Sequence, residues 1–313
     1  MRIIFMGTPE FAVASLDILI QNKYDVVAVV TVPDKPAGRG QVIQQSAVKK
    51  YAVEKGLKVL QPEKLKDENF LNELKELKAD LQIVVAFRML PEVVWDMPPL
   101  GTYNLHGSLL PKYRGAAPIN WAIINGDTES GVTTFKLKQE IDTGNVLFQA
   151  KTPIAHTTTA GELHDCLMGI GADLILKTVR AIESGKYELM PQDDSQSIHA
   201  PKIFKETCRI QWTQSAEKIY NLIRGLSPYP AAFTEFRDKH DALISVKIFK
   251  ADYEKKTSGF EPGTAICDGK SFLRIACADG LITIQELQMA GKKRMSVEDF
   301  LRGFHVDGNL VFR

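Results

Sequence analysis

An α/β domain with a parallel-rich sheet, followed by a small β domain of barrel or sandwich type, is the fold class this sequence predicts. Three observations carry that expectation. Residues 2–31 read strand, helix, strand, a unit that closes through a right-handed crossover into a parallel sheet. Residues 190–202, rich in Pro, Asp, Ser and Gln, have the composition of a linker. Beyond them come short strand candidates at close spacing. A chain of 313 residues exceeds the usual single domain, so two compact units are expected. Their expected bounds are 1–189 and 207–313, with a linker over 190–206.

The elements follow in order. Arg2–Met6 reads as a buried strand. Thr8-Pro9-Glu10 reads as a helix start, with Thr8 as the cap, Pro9 in the first turn and Glu10 near the positive dipole end. Phe11, Ala12, Leu16, Leu19 and Ile20 give that helix its apolar face. Asp25–Thr31 is the second strand, and the polar, turn-rich stretch 32–45 is a loop. Helical patterns cover 46–55 and 67–78, with a short strand near Val59 between them and a clear strand at Leu81–Ala86. Gly101–His106 ends a strand, Ala117–Ile124 is a helix, and Val132–Leu137 and Val146–Ala150 are strands. Ala160–Glu183 is helical despite Gly169 and Gly171. After the linker, a helix over Ser215–Arg224 and the turn Ser227-Pro228-Tyr229-Pro230 precede strands near 233–237, 244–252, 263–268, 272–276 and 281–289.

Composition narrows the function classes. Hydrophobic residues at 44% and charged residues at 25% are ordinary globular usage and exclude a disordered chain. The net charge of +1 excludes a polycation, so contact with nucleic acid needs a local patch. Residues 207–313 are mildly basic, with 16 Lys/Arg against 13 Asp/Glu, which fits either such a patch or an ordinary solvated surface. Cys166, Cys208, Cys267 and Cys277 form no C-x-x-C pair and no disulfide framework, which points to free thiols in a reducing cytosol. No apolar run reaches membrane-span length, and the opening run is broken by Gly7-Thr8-Pro9, so neither a membrane segment nor a signal peptide is expected.

The densest chemical pattern is Asn104-Leu105-His106-Gly107-Ser108-Leu109-Leu110-Pro111. Alternation along a strand puts Asn104 and His106 on one face, and the carboxyl end of a parallel strand opens into the ligand crevice of such sheets. Histidine serves acid–base work near neutral pH, and an amide suits an oxyanion. As a bare pair they also fit a core histidine and its neighbour. Asp142-Thr143-Gly144 places a carboxylate on a loop between strands; beside an imidazole it favours the charged ring, and alone it is an ordinary turn former. Gly38-Arg39-Gly40 and Gly169-Ile170-Gly171 lack the dinucleotide fingerprint, and no phosphate loop or nucleophile elbow occurs. His164 and Cys166 are two apart on a helix and do not converge, so no metal site is expected. The loop Asp34–Gly40 combines Pro36, two glycines, Lys35 and Arg39, which fits closure on an RNA backbone and fits as well a mobile surface loop with incidental basic residues.

In combination these motifs resemble the folate-dependent formyltransferases. Asn-x-His with Ser-Leu-Leu-Pro, then Tyr113-Arg114-Gly115-Ala116-Ala117-Pro118, then Asp142-Thr143-Gly144, stand in that family's order. The opening Ile3–Ala12, the Pro33–Gly40 loop and Leu226–Phe233 extend the likeness over nearly the whole chain. Length and order are most similar to the branch that formylates methionyl-initiator tRNA.

The resemblance implies a Rossmann-like formyltransferase domain followed by a C-terminal OB-like β-barrel that binds tRNA. It implies transfer from 10-formyltetrahydrofolate, with Asn104, His106 and Asp142 catalytic. Ser108, Leu109, Leu110 and Pro111 are expected at the folate site, Arg88, Met89 and Leu90 along the pterin pocket, and Lys35 and Arg39 on tRNA. No metal is needed, and a cytoplasmic monomer is expected. One departure concerns Glu140, where many relatives have glycine; it bears on the folate-side loop and removes no catalytic group. Competing readings are a formyltransferase acting on an amino sugar nucleotide, a formyltetrahydrofolate hydrolase, and a lapsed enzyme that only binds RNA. The retention of Asn104, His106 and Asp142 argues against the last.

Overall fold

A computed structural model describes residues 1–37, 42–237, 241–256, 259–304 and 310–313. They form two compact units. The first comprises 1–115, 130–152 and 164–200, the second 116–129, 153–163 and 201–313.

The chain opens with β1 (Arg2–Gly7), α1 (Glu10–Gln21) and β2 (Asp25–Val30). Ile3, Ile4, Phe5 and Met6 are all at most 1% exposed, as a strand covered on both faces requires. Thr8 does not cap α1, contrary to the expectation. Pro9 is held extended (φ −82°, ψ 176°) at the cap position, without a side-chain hydrogen bond, and the helix starts at Glu10. Phe11, Ala12, Leu16 and Leu19 are buried, as their spacing predicts. The stretch expected to be a loop contains an antiparallel hairpin of β3 (Lys35–Ala37) and β4 (Val42–Gln44). Next come α2 (Ala47–Glu54), β5 (Val59–Leu60), α3 (Glu68–Glu76), β6 (Leu81–Val85) and α4 (Glu92–Trp95). The side chains of Ser46 and Asp67 cap α2 and α3 by accepting from Lys49 N and Phe70 N. Then follow β7 (Thr102–His106), β8 (Arg114–Gly115), α5 (Pro118–Ile124), β9 (Glu129–Lys136), β10 (Val146–Pro153), α6 (Ala160–Ser184) and β11 (His199–Ala200).

The main sheet has the order β10-β9-β7-β6-β1-β2-β5. β1 pairs in parallel with β2 and β6, and β6 with β7, whereas β9 runs antiparallel to β7. The chain leaves β1 toward β2 on one side and returns at β6 on the other, so the topology switches between β1 and β6. Val84 pairs with Asn104 and Val85 with Leu105, which sends residues 86–90 and His106 off the same sheet edge. One face is sealed by Phe70 and Leu74 of α3 and Val94 of α4, packed on Ile4, Met6, Ala28, Val30 and Val84. Each such side chain contributes roughly 1.5–3 kcal/mol, so this edge of the sheet is a rigid base.

The second unit adds α7 (Ala216–Leu226), β12 (Ala232–Arg237), β13 (Leu243–Glu254), β14 (Ala265–Cys267), β15 (Leu273–Ala276), β16 (Leu281–Met289), β17 (Met295–Ser296) and α8 (Val297–Gly303). The antiparallel order is β12-β13-β16-β15-β14, with β17 on β16. The sheet curls, and the chain end links its two edges. Phe312 bridges Phe236 of β12, and Val311 bridges Thr264 just before β14. Glu235 and Arg313 exchange backbone hydrogen bonds of 3.0 and 2.7 Å. The result is a curled antiparallel half-barrel, which fits the barrel alternative of the short-strand reading and the OB-like fold that the resemblance implies. Among the described residues, no helix is long and apolar enough to cross a membrane.

Candidate active site

Asn104 and His106 project from the same face of β7 at its carboxyl end. His106 is 6% exposed. Its Nε2 lies 2.8 Å from the Tyr113 carbonyl oxygen. A carbonyl only accepts, so Nε2 carries hydrogen and Nδ1 is the nitrogen left facing away from this tether. The Asn104 amide is half-buried and has no hydrogen-bond partner among the described residues.

The turn after β7 holds the Tyr113 carbonyl in place. Ser108 Oγ donates to Lys112 O (2.6 Å). Thr133 Oγ1 on β9 donates to Ser108 O (2.6 Å) and accepts from Leu110 N (3.1 Å) and Gln149 Nε2 (3.0 Å). Those three bonds use the full capacity of a hydroxyl. Gln149 Nε2 also reaches Leu110 O (2.8 Å).

Asp142 stands in the loop 137–145 between β9 and β10, in the left-handed region at φ +55°. Its Oδ2 accepts the Gly115 N–H at 2.8 Å and faces His106 Nδ1 at 3.7 Å. The latter separation lies in ion-pair range and beyond hydrogen-bond length, so the carboxylate acts on the ring through its charge. A Cβ at Gly144 would lie 1.7 Å from Lys136 O, so only glycine lets the loop close here. Glu140 is exposed at the outer side of the loop, and its carbonyl accepts from Thr143 Oγ1 (3.1 Å).

A cavity of about 920 Å³ opens in the first unit, lined by Leu65, Lys66, residues 88–93, Trp95 and Gln139. Its size and apolar wall suit a heterocyclic ligand. Arg88 spans the wall. Its guanidinium donates to Glu63 O (2.8 Å) and to Pro62 O, while Nε–H is buried without a partner. Burial pushes the Arg88 pKa down from the usual arginine value, which leaves it charged at neutral pH. Gln139 belongs to the same loop as Asp142, so one loop both walls the cavity and carries the carboxylate.

The expected residues are thus distributed unevenly. His106 and Asp142 face each other at 3.7 Å, and Asn104 shares the His106 face of β7. Arg88, Met89 and Leu90 line the cavity. Ser108, Leu109, Leu110 and Pro111 form the hydrogen-bonded turn and do not line it. Lys35 is exposed on the hairpin β3–β4, and Arg39 lies outside the described residues. The reading of residue types does not single out the Tyr113 carbonyl, the Gly115 N–H, Thr133 or Gln149. Backbone groups carry no residue-type signal, and Thr133 and Gln149 look like ordinary strand positions. Among the described residues, no cluster of three or more His, Cys, Asp or Glu is placed to hold a metal ion.

Residues 1–179 match the family described as Formyl transferase, and residues 202–305 match its C-terminal domain. The chain belongs to the formyl transferase family. It is therefore a one-carbon group transferase, of a family that uses folate-derived formyl donors. A Bacteroides fragilis protein named methionyl-tRNA formyltransferase is 56% identical over 310 residues, covering 98% of this chain and 96% of the relative. A protein of the same name from Flavobacterium johnsoniae is 55% identical over 304 residues, covering 97% and 96%. The fold is shared with the N-formyltransferase from Helicobacter canadensis, solved with folinic acid and dTDP-3-aminofucose (TM-score 0.68, 24% identity, 94% of this chain and 99% of that one). It is also shared with HypX from Aquifex aeolicus in complex with tetrahydrofolic acid (TM-score 0.63, 18% identity, 96% and 47%).

Proposed function

We propose that this formyl transferase moves the formyl group of 10-formyltetrahydrofolate to the α-amino group of methionine on initiator tRNA. The product is N-formylmethionyl-tRNA for translation initiation. The acceptor follows the relatives at 50–56% identity that bear the name methionyl-tRNA formyltransferase. The observation that carries the chemistry is the His106–Asp142 pair at 3.7 Å, on the sheet edge from which the cavity-lining segment also departs.

The residue types match what the transfer requires. As the amine nitrogen bonds to the formyl carbon, negative charge builds on the formyl oxygen. The Asn104 amide and the Nδ1–H of charged His106 donate to it. The bond from that carbon to the folate nitrogen then breaks. That nitrogen takes up a proton and the amine releases one, with Asp142 relaying the proton and holding His106 charged. Side-by-side binding of donor and acceptor supplies much of the remaining acceleration.

Arg88, Met89 and Leu90 hold the pterin, with the unpartnered Arg88 Nε–H offered to a polar atom of the ligand. Ser108, Leu109, Leu110 and Pro111 belong to the folate site by family likeness, as the turn that carries the Tyr113 carbonyl rather than as cavity lining. Lys35, Arg39 and the basic barrel of residues 207–313 take the tRNA backbone. In this reading residues 1–189 carry the catalytic domain, and the expected linker 190–206 is tied to the same unit as far as Ala200. The enzyme works as a cytoplasmic monomer without a metal ion.

The test is an acceptor assay with labelled formyl donor offered methionyl-initiator tRNA, an amino sugar nucleotide, or water alone. The label is expected on the methionine nitrogen. Preferential label on the sugar amine, or release as free formate, overturns the acceptor assignment.

A further inference from the structure

The segment read from sequence as the start of a linker contacts the Asp142 loop. Met190 exchanges backbone hydrogen bonds with Val146 at the start of β10 (2.7 and 2.8 Å). β11 pairs in parallel with β8, His199 opposite Arg114 and Ala200 opposite Gly115. Between these two attachments stands Gln192. Its Nε2 donates to the Asp142 carbonyl and to the Gly144 carbonyl, both at 2.8 Å. Its Oε1 accepts from Arg114 Nε (3.0 Å) and Nη2 (2.7 Å). Arg114 is held in turn by Asp194 (2.6 Å).

These bonds join the two ends of one critical contact. The Asp142 carboxylate is placed by the Gly115 N–H, and Gly115 follows Arg114 in the chain. Gln192 therefore grips the backbone of the residue that bears the carboxylate and the side chain next to the residue that anchors it. The only other side-chain bond within residues 137–145, among the described residues, is the one between Thr143 and Glu140. An amide is required at 192 because the position must donate to two carbonyls and accept from a guanidinium. A carboxylate of the same length would accept from Arg114 but face two carbonyl oxygens with no hydrogen to offer.

We propose that Gln192 is a positioning residue for formyl transfer: it sets the Asp142 carboxylate against His106 through the loop carbonyls and Arg114. This rests on the role given above to Asp142. Misplacement of a reacting group by about 1 Å costs on the order of 100-fold in rate. Loss of this clamp is accordingly expected to lower kcat rather than raise KM.

The experiment is a double-mutant cycle in the full-length enzyme, with kcat and KM measured for both substrates. Gln192→Ala is expected to lower kcat about 30-fold with both KM values within about twofold of wild type. In an Asp142→Ala background the same change is expected to cost less than about twofold, because the carboxylate it positions is gone. Equal losses in both backgrounds, or a loss confined to KM, overturn the proposal. Gln192→Glu keeps the size and the Arg114 contact, removes both donors and sets a negative charge against the two carbonyl oxygens. Its kcat is expected to fall with that of the alanine variant, and wild-type kcat in Gln192→Glu overturns the proposal even if Gln192→Ala does not fold. If Asp142→Ala alone leaves turnover unchanged, the catalytic assignment of Asp142 fails. If only the Gln192 variants leave it unchanged, the positioning role fails and that assignment stands.

Discussion

Asp142 approaches His106 from the side opposite the ring's tether. Nε2 is bound to the Tyr113 carbonyl at 2.8 Å, and Nδ1 faces the Asp142 carboxylate at 3.7 Å. Turning the ring over would break the Nε2 bond to the Tyr113 carbonyl. Nδ1 is thus the ring nitrogen left to meet the carboxylate. Asn104, two residues earlier on β7, adds a neutral donor on the same face.

The first consequence concerns the imidazole. His106→Ala should lower turnover at least ~100-fold, the scale of lost acid–base assistance. Folate affinity, measured by fluorescence titration, should stay within about threefold of wild type, because His106 does not line the cavity. Wild-type-like turnover would defeat the role assigned to the ring.

A second prediction concerns the donor site. Arg88→Met keeps the length of the side chain and removes the buried, unpartnered Nε–H. A hydrogen bond to a charged donor contributes about 1.5–3 kcal/mol, so the Kd for folate should rise at least ~10-fold. The Kd for tRNA should not change. Calorimetry showing unaltered folate binding would remove Arg88 from the site.

The third prediction concerns the acceptor. Lys35→Ala and Arg39→Ala together should weaken tRNA binding more than folate binding, and the slope of log Kd against log salt should flatten by roughly one to two units. An equal effect on both substrates, or an unchanged salt slope, counts against docking of this loop on RNA.

These predictions rest unevenly on sequence and structure. β1, α1, β2 and the strand ending at His106 were legible because their determinants are local: apolar runs, a proline before a helix, alternation that pairs Asn104 with His106. The hairpin at Lys35–Gln44 was not, since Pro36 and the glycines read as loop while the pairing depends on the strands meeting. Thr8 resembled a cap, but Pro9 holds the extended position that a cap needs. α4 and α8, of 4 and 7 residues, are too short for periodicity to reveal. The order of the Asn104, His106 and Asp142 motifs was legible, and their support was not. The Tyr113 carbonyl and Gly115 N–H are backbone groups, and Gln192 sits in a polar stretch whose meaning appears only once β11 pairs with β8.

The fourth prediction concerns the barrel seam. Phe312 is 3% exposed and packs against Phe236 and Trp212. Phe312→Ala should cost about 3–5 kcal/mol in urea unfolding, the range for a buried phenylalanine. A loss below about 0.5 kcal/mol would mean that the chain end does not close the sheet.

The most direct test is the single-turnover rate of methionyl-tRNA formylation by Asp142→Asn at saturating donor and acceptor. Asparagine retains the size and an oxygen that can accept the Gly115 N–H, so the charge beside His106 and the proton-relaying carboxylate are lost together. The rate should fall at least ~100-fold with the melting temperature within about 3 °C of wild type. A rate within about threefold of wild type would show that the carboxylate does not drive the transfer.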